Sequence, residues 1–240
     1  MARRALEPTD YPFFDYRRFA FSLGIAAAGQ VWLSGSTAAR FDAERKAMVV
    51  TGDLLAQASL IYDKMRKTLA ADSLTLANVT RMTQYVTPAA IPHLPRLAKL
   101  RSETFGSAVP LVSTVVIKSL LRNEALIEIE GVASTSTSPP PMVLAAAMGD
   151  PAAGGIAEQC RAAYVQITRA LTEAGSSLDA VVKTTEFITS DALANYRHTA
   201  DVRRDVFAAP YPAATGVICE KLTKPGALIS VEAIAVARTA

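Results

Sequence analysis

Gly52-Asp53-Leu54-Leu55-Ala56-Gln57 opens one stretch of this chain, and Gly154-Gly155-Ile156-Ala157-Glu158-Gln159 opens another, 102 residues later, that repeats it. In that single register residues 52–133 lie on 154–235 without a gap. Tyr62 falls on Tyr164, Leu69 on Leu171, Thr87 on Thr189, Arg101 on Arg203, Phe105 on Phe207 and Pro110 on Pro212. Ala125-Leu126-Ile127 falls on Ala227-Leu228-Ile229, and Glu130 on Glu232. The unit is too long for a solenoid, whose repeats run to about 20–50 residues, but ~100 residues is an ordinary domain size. The chain therefore reads as two copies of one domain, and any site has to be looked for twice.

Within a copy, Leu54, Ala58, Ile61, Met65 and Leu69 recur at helical spacing, as do Ile156, Cys160, Ala163, Ile167 and Leu171, which predicts an amphipathic helix on a sheet. Gly175 is placed to end the second of these helices, where a positive φ is cheap for glycine. Val79–Thr87 and Val181–Thr189 are rich in β-branched and aromatic residues and read as strands. A second helix is expected over 94–105 and 196–207, stopped before Pro110 and Pro212. Two closing strands follow, 113–119 with 125–133 and 215–221 with 227–237, and Pro225-Gly226 is expected to join the latter pair as a hairpin turn. Upstream, the segments around 19–27 and 31–34 suggest a hairpin followed by a long polar loop in copy one. Copy two has only Met142–Met148 there. The order β-β-α-β-α-β-β predicts an α+β fold, a sheet with two helices on one face.

The boundaries drawn from these readings are an N-terminal extension over 1–18, a first domain over 19–133, a linker over 134–141 and a second domain over 142–240. Small polar residues followed by Pro139-Pro140-Pro141 mark the linker. Half of the residues are hydrophobic and a fifth charged, which suits a globular protein. The net charge of +3, with no basic run interleaved with aromatics, argues against a nucleic-acid partner. No apolar stretch of ~18 residues suggests a membrane span, and Arg3-Arg4 lack the apolar segment of a secretory signal. Cys160 and Cys219 form no metal motif, and each has a non-cysteine counterpart in copy one, Ala58 and Ile117. A reduced, cytoplasmic protein is expected. One histidine per copy, His93 and His198, does not make a zinc site.

Several stretches resemble one family. Val31-Trp32-Leu33-Ser34-Gly35 followed by Gly52-Asp53-Leu54 and Gln57 looks like the opening signature of the Rid/YjgF family. Residues 174–185, Ala-Gly-Ser-Ser-Leu-Asp-Ala-Val-Val-Lys-Thr-Thr, look like its middle signature. Phe207, Pro210-Tyr211-Pro212-Ala213 and 228–235, Leu-Ile-Ser-Val-Glu-Ala-Ile-Ala, look like its closing one. The resemblance runs from about Phe19 nearly to the end. It implies two tandem chorismate-mutase-like (YjgF-type) domains, trimeric assembly with clefts between neighbouring domains, and hydrolysis of reactive enamines or imines with release of ammonia. It implies carboxylate substrates such as 2-aminoacrylate or 2-aminomuconate, and no metal or organic cofactor.

The resemblance also implies two site residues, an arginine after the Pro-Ala pair that grips the substrate carboxylate and a last-strand glutamate that holds water or moves a proton. The glutamate is matched by Glu130 and Glu232, the expected catalytic residues. The arginine is absent, with Val112 and Ala214 at its two positions, and Ala98 and Ala200 stand where the family has a helix asparagine. A substitute guanidinium is sought in Arg40, at the polar loop, or in Arg17 and Arg18 of the extension. Ser34, Ser36, Ser113 and Thr114 are candidate hydrogen-bonding residues. Copy one keeps the fuller upstream region and is the better candidate to carry the site. The leading expectation is an enamine/imine deaminase working as a homotrimer. The alternative, motivated by the double loss of arginine, is a non-catalytic binding or scaffold protein on the same fold. Ribonuclease activity, reported for some relatives, gains little from so small a charge.

Overall fold

A computed structural model describes residues 3–134, 142–222 and 224–237. Copy one contains strands β1 (Arg4–Ala5), β2 (Gly24–Ala27), β3 (Gln30–Ser36), β4 (Arg40–Asp42) and β5 (Ala47–Val49), helix α1 (Leu54–Ala70), strand β6 (Val79–Val86), helix α2 (Leu94–Phe105), and strands β7 (Leu111–Val116) and β8 (Ile127–Ser134). Copy two contains β9 (Met142–Met148), α3 (Ile156–Glu173), β10 (Val181–Thr189), α4 (Thr199–Val206), β11 (Ala213–Cys219) and β12 (Ile229–Val236). The larger sheet runs β1-β2-β3-β8-β6-β7 and the smaller β11-β10-β12-β9. The second order is the β7-β6-β8-β3 core of the first, so the two copies share one four-stranded α+β plan, with helices packed on one face of each sheet.

The matched residues explain the shared plan. Leu54, Ala58, Ile61, Met65 and Leu69 are buried along α1, as are Ile156, Cys160, Ala163, Ile167 and Leu171 along α3. Tyr62 meets Phe105 edge to face at 5.4 Å between ring centroids, and Tyr164 meets Phe207 at 5.3 Å. The side-chain amide of Gln57 donates to the carbonyls of Gly52 (3.0 Å) and Glu124 (3.1 Å), and its oxygen accepts from the Leu126 N–H (2.8 Å). Gln159 makes the same three bonds, to Gly154, Gly226 and Leu228. One glutamine per copy thus ties the start of the first helix to the turn before the last strand. Gly175 has φ +74 and the Ser176 N–H closes back on the Leu171 carbonyl at 2.7 Å, the helix stop its position predicts.

Two expectations are corrected. β11 and β12 do not form a hairpin through Pro225-Gly226: β11 lies parallel to β10 and β12 antiparallel to it on the other side, and β7 and β8 flank β6 in the same way. Adjacency in sequence gave way to the central position of β6 and β10, each of which is satisfied on both edges. The polar loop after Ser36 contains the β4–β5 ribbon, whose strands are too short to show a period. The extension is structured, since β1 pairs with β2 and the Arg3 guanidinium donates to the carbonyls of Leu178, Val181 and Ala208 in copy two. The β2–β3 hairpin is present, turning through Ala28 and Gly29, both at positive φ. The linker expected over 134–141 lies, from residue 135 on, outside the described residues.

The copies pack through the sheet faces opposite their helices. Ile25, Ala27 and Trp32 meet Val182, Ala213 and Val236 in one buried cluster, and Tyr85, Ile117 and Leu120 meet Val217 in another. Ser22 bridges to Ala213 in parallel register, so β11 runs beside the β2–β3 end of the first sheet.

Candidate functional site

Strand alternation sends successive side chains to opposite faces. On β8, Ile127, Ile129 and Ala133 join the helix-side core of copy one, which leaves Glu128, Glu130 and Val132 on the face toward copy two. Two cavities open beside this strand, one at each glutamate.

The smaller, about 170 Å³, lies between the copies and is lined by related pairs: Arg81 with Lys183, Thr83 with Thr185, and Glu130 with Glu232. Glu130 is bound on all sides. The Lys183 ammonium stands 2.7 Å from its carboxylate, the Thr215 hydroxyl donates to it at 2.6 Å and the Tyr85 hydroxyl at 3.3 Å. Lys183 also donates to Thr215 Oγ1 at 2.5 Å, and the Gly35 N–H donates to the same oxygen at 2.9 Å. Burial alone pushes the Glu130 carboxyl up, but Lys183 and the three hydrogen bonds outweigh it and hold the group below its usual range. Glu130 is thus a fixed carboxylate in an ion pair across the domain boundary. Glu232 lies on the open side of this cavity, and among the described residues no side chain bonds to it; desolvation and the charge of Glu130 raise its pKa.

The larger cavity, about 320 Å³, belongs to copy one. Tyr11, Phe14, Phe19 and Phe21 of the N-terminal region, with Leu33, Met48 and Met65, give it apolar walls. Its polar end gathers Ser34, Gly35, Ser36, Lys64, Arg122 and Glu128. Glu128 is buried, and desolvation, reinforced by Glu130 and opposed by Lys183 and Lys64, pushes its pKa up to about 8. The shift favours the protonated acid toward neutral pH, a form able to give a proton and take one back. Gly35 permits this placement: a Cβ there would lie 2.2 Å from Glu128 Oε1 and 2.6 Å from Thr215 Oγ1. Arg122, on the loop between β7 and β8, lines the same cavity, and among the described residues its guanidinium has no hydrogen-bonded partner.

The other residues singled out by sequence are dispersed. Ser34 is buried, its hydroxyl donating to the Ser22 carbonyl (2.6 Å) and accepting from the Ala214 N–H (2.8 Å). That contact seats Ala214, one of the two positions without arginine, against copy one. Ser36 lines the larger cavity and donates to the Thr37 carbonyl at 3.3 Å. Arg40 is exposed on β4, and Arg17 lies over the Tyr16 ring, 4.7 Å from its centroid; neither lines a cavity. Ser113 and Thr114 sit on the exposed strand β7, where Thr114 accepts from Gln84 at 2.7 Å. Val112 packs on the core of copy one.

Sequence reasoning missed Glu128, Lys64, Arg122 and Lys183. The alternation Ile127-Glu128-Ile129-Glu130 was a signal for the first, since residues two apart on a strand share a face. Lys64, beside Met65 on the apolar side of α1, was a signal for the second. Arg122 had no local pattern. Among the described residues no group of three His, Cys, Asp or Glu side chains is arranged to hold a metal, and no helix is long and apolar enough to cross a membrane.

A model of the family described as endoribonuclease L-PSP matches the chain twice, over residues 17–135 and 144–237. No curated protein matches it. Among solved structures, Rv2704 of Mycobacterium tuberculosis, described as a member of the YjgF/YER057c/UK114 family, is 22% identical over 55% of this chain and 99% of its own, with a TM-score of 0.44. YyfA of Yersinia pestis, described as a Rid family protein of unknown function, is 21% identical over 55% and 99%, with a TM-score of 0.47. Yeast Mmf1 is 18% identical over 56% and 99%, also with a TM-score of 0.47.

Proposed function

Because this chain belongs to the endoribonuclease L-PSP family, as a tandem, two-domain Rid-like member, we propose that it is a hydrolytic deaminase of reactive enamine or imine carboxylates. The observation that carries this reading is the 320 Å³ cavity, whose polar lining includes a Glu128 shifted toward its protonated form and an unpaired Arg122 among apolar walls. Arg122 takes the place of the missing family arginine: its guanidinium offers a carboxylate two parallel charge-assisted bonds. The aromatic wall favours substrates with a hydrocarbon or aryl side chain over the smallest ones.

Glu128 gives its proton to the enamine carbon or imine nitrogen, which makes the iminium carbon electrophilic. Water adds to that carbon and the Glu128 carboxylate takes up the proton released, giving the carbinolamine; Glu128 then protonates its nitrogen, ammonia leaves, and the hydroxyl proton returns to Glu128 as the ketone forms. Ser36 lies where it can orient the water. Glu130, fixed as an anion two residues away, adds to the desolvation that holds Glu128 toward its protonated form, a positioning role rather than a proton-transferring one.

The test is ammonia release from 2-aminoacrylate, 2-aminomuconate and an arylalkyl imino acid. Glu128→Gln should lower kcat by about 100-fold or more, the usual contribution of a positioned acid–base group. An unchanged rate removes the assignment, and binding without turnover by the wild type favours the non-catalytic reading.

We also infer a homotrimer in a reducing, cytoplasmic setting. Inside the chain β11 lies along the β3 end of copy one. β7, the equivalent of β11, exposes Leu111 (70%) and Val116 (51%), and β9, the equivalent of β3, exposes Leu144 (75%). Arg81 and Glu232 repeat Lys183 and Glu130 on the open side. Complementary free ends of this kind join head to tail and close as a ring. Both cysteines are free, which fits a reducing compartment. Light scattering that returns a monomer overturns the assembly.

A further inference from the structure

The deaminase reading leaves one reactive group of the larger cavity unused. Lys64 projects from the middle of α1 and is only 2% exposed, yet it lines the cavity. Its amine donates to the carbonyls of Thr37 (2.8 Å) and Ala39 (2.5 Å). Among the described residues it has no third acceptor and no ion pair. Two carbonyl acceptors match the two N–H bonds of a neutral amine, which leaves a lone pair; the third N–H of an ammonium would have no oxygen acceptor and only aromatic faces to meet. The rings of Phe13 and Phe14 lie 5.5 and 5.2 Å from Nζ.

We propose that Lys64 is a covalent site, whose amine condenses with aldehydes or ketones that carry an apolar or aryl tail. The electrostatics agree with the geometry. Desolvation, helped by the nearby positive charge of Arg122 and opposed by Glu128, brings the Lys64 pKa down to about 7, so a large fraction is unprotonated at neutral pH where an ordinary lysine is not. Amines desolvated in this way are the ones that form Schiff bases. The acid the reaction needs is Glu128, which lines the same cavity.

The step balances within the site. The Nζ lone pair attacks the carbonyl carbon, one N–H proton passes to the carbonyl oxygen, and a carbinolamine forms. Its hydroxyl takes the Glu128 proton and leaves as water, and nitrogen gives its remaining proton back to the Glu128 carboxylate. Amine and carbonyl have become imine and one water. While still protonated, the imine keeps one N–H for the Thr37 or Ala39 carbonyl. The aromatic wall selects the tail, and Phe19, 45% exposed at the rim, marks an entrance.

Reductive trapping tests this. The full chain is treated near pH 7 with limiting phenylacetaldehyde and cyanoborohydride, then digested and mapped by mass spectrometry. Alkylation of Lys64 at least tenfold faster than of Lys99, whose side chain is 79% exposed, is the expected result, and with acetaldehyde the preference should shrink. Equal rates at the two lysines overturn the proposal, and because that competition takes place within the wild type it does not depend on a variant folding. Lys64→Met should lose the fast adduct while labelling of Lys99 persists; a fast adduct that survives at another residue also overturns it. The site shares its cavity with the deaminase reading but does not rest on it. Trapping without ammonia release leaves the Lys64 site standing alone, and ammonia release without trapping overturns only the Lys64 site.

Discussion

The two copies invest their polar residues in opposite places. In copy two, Glu186 of β10 is buried beneath the helices, with Arg203 at 2.6 Å and the hydroxyls of Tyr196 at 2.7 Å and Tyr164 at 3.1 Å. In copy one the related position is the neutral Gln84, which accepts from Arg101 at 3.2 Å, and the Tyr62 hydroxyl lies beside the same guanidinium. Around the larger cavity the contrast reverses. Copy one has Lys64, Arg122 and Glu128 around a cavity, where copy two has Gln166, Lys224 and Ser230. Gln166 is exposed, and Lys224 is paired with Asp150 at 3.3 Å. Duplication has left one copy with an ionic lock in its core and the other with reactive groups at a cavity. Copy two serves the cavity from behind, since its Lys183 and Thr215 hold Glu130 and its Thr215 touches the wall at Gly35.

The sharpest way to break the comparison is to remove the two matched arginines. Arg203→Met leaves Glu186 buried without its counter-charge and should destabilise the protein by about 3–5 kcal/mol. Arg101→Met leaves no buried charge behind, since its partners are the neutral Gln84 and Tyr62, and should cost about 1–2 kcal/mol. Urea unfolding of both variants checks the asymmetry, and equal losses would refute it.

The next contrast is in pH. The folded pKa of Glu128, about 8, lies above its ordinary value of 4.5, so its contribution to stability is complete below about 4.5 and is lost as pH rises toward about 8. Ser230 carries no charge at the related place. Wild type should therefore lose stability relative to Glu128→Gln across that window, by on the order of 1 kcal/mol per pH unit. Parallel curves from denaturation at several pH values would mean that Glu128 ionises normally.

Where the copies agree, their variants should agree too. Gln57→Ala and Gln159→Ala each strand a buried N–H and two carbonyls, and each should cost about 1–3 kcal/mol by the same unfolding measurement. A large difference would show that one glutamine has taken on another role. The smallest effect is expected at the loop: Arg122→Met should raise KM about tenfold, close to 1.4 kcal/mol, with kcat nearly unchanged, as when uniform binding is lost. Lys224→Met should leave both constants as they are.

Much of the architecture was legible because it is written in local periodicities. The i, i+3, i+4 rows of α1 and α3, Gly175 at a helix end and the β-branched runs of β6 and β10 each report a conformation the chain adopts over a few residues. Where β8 and β12 would insert was not legible. Proximity to Pro225-Gly226 suggested a hairpin, while the long-range pairing of β12 with both β10 and β9 decided the matter. The site followed the same division. Glu130 and Glu232 stand out as charges in apolar strands, and the ion pair that explains Glu130 joins residues more than fifty positions apart, Glu130 and Lys183. Glu128 looked like one more charge on the same strand until the approach of Gly35 and Thr215 excluded water from it.

By itself, then, the sequence determined that this is a duplicated α+β domain of the Rid/YjgF type, which residues recur, and that the family arginine is missing from both copies. Those are properties of residue type and spacing along a chain. Only the tertiary structure decided which carboxyl is held as an anion by an ion pair and which is pushed toward its protonated form by burial, and that Lys64 and Arg122 line one cavity. Ionisation depends on solvent access and on charges brought within a few ångströms, and folding brings those charges from distant parts of the chain.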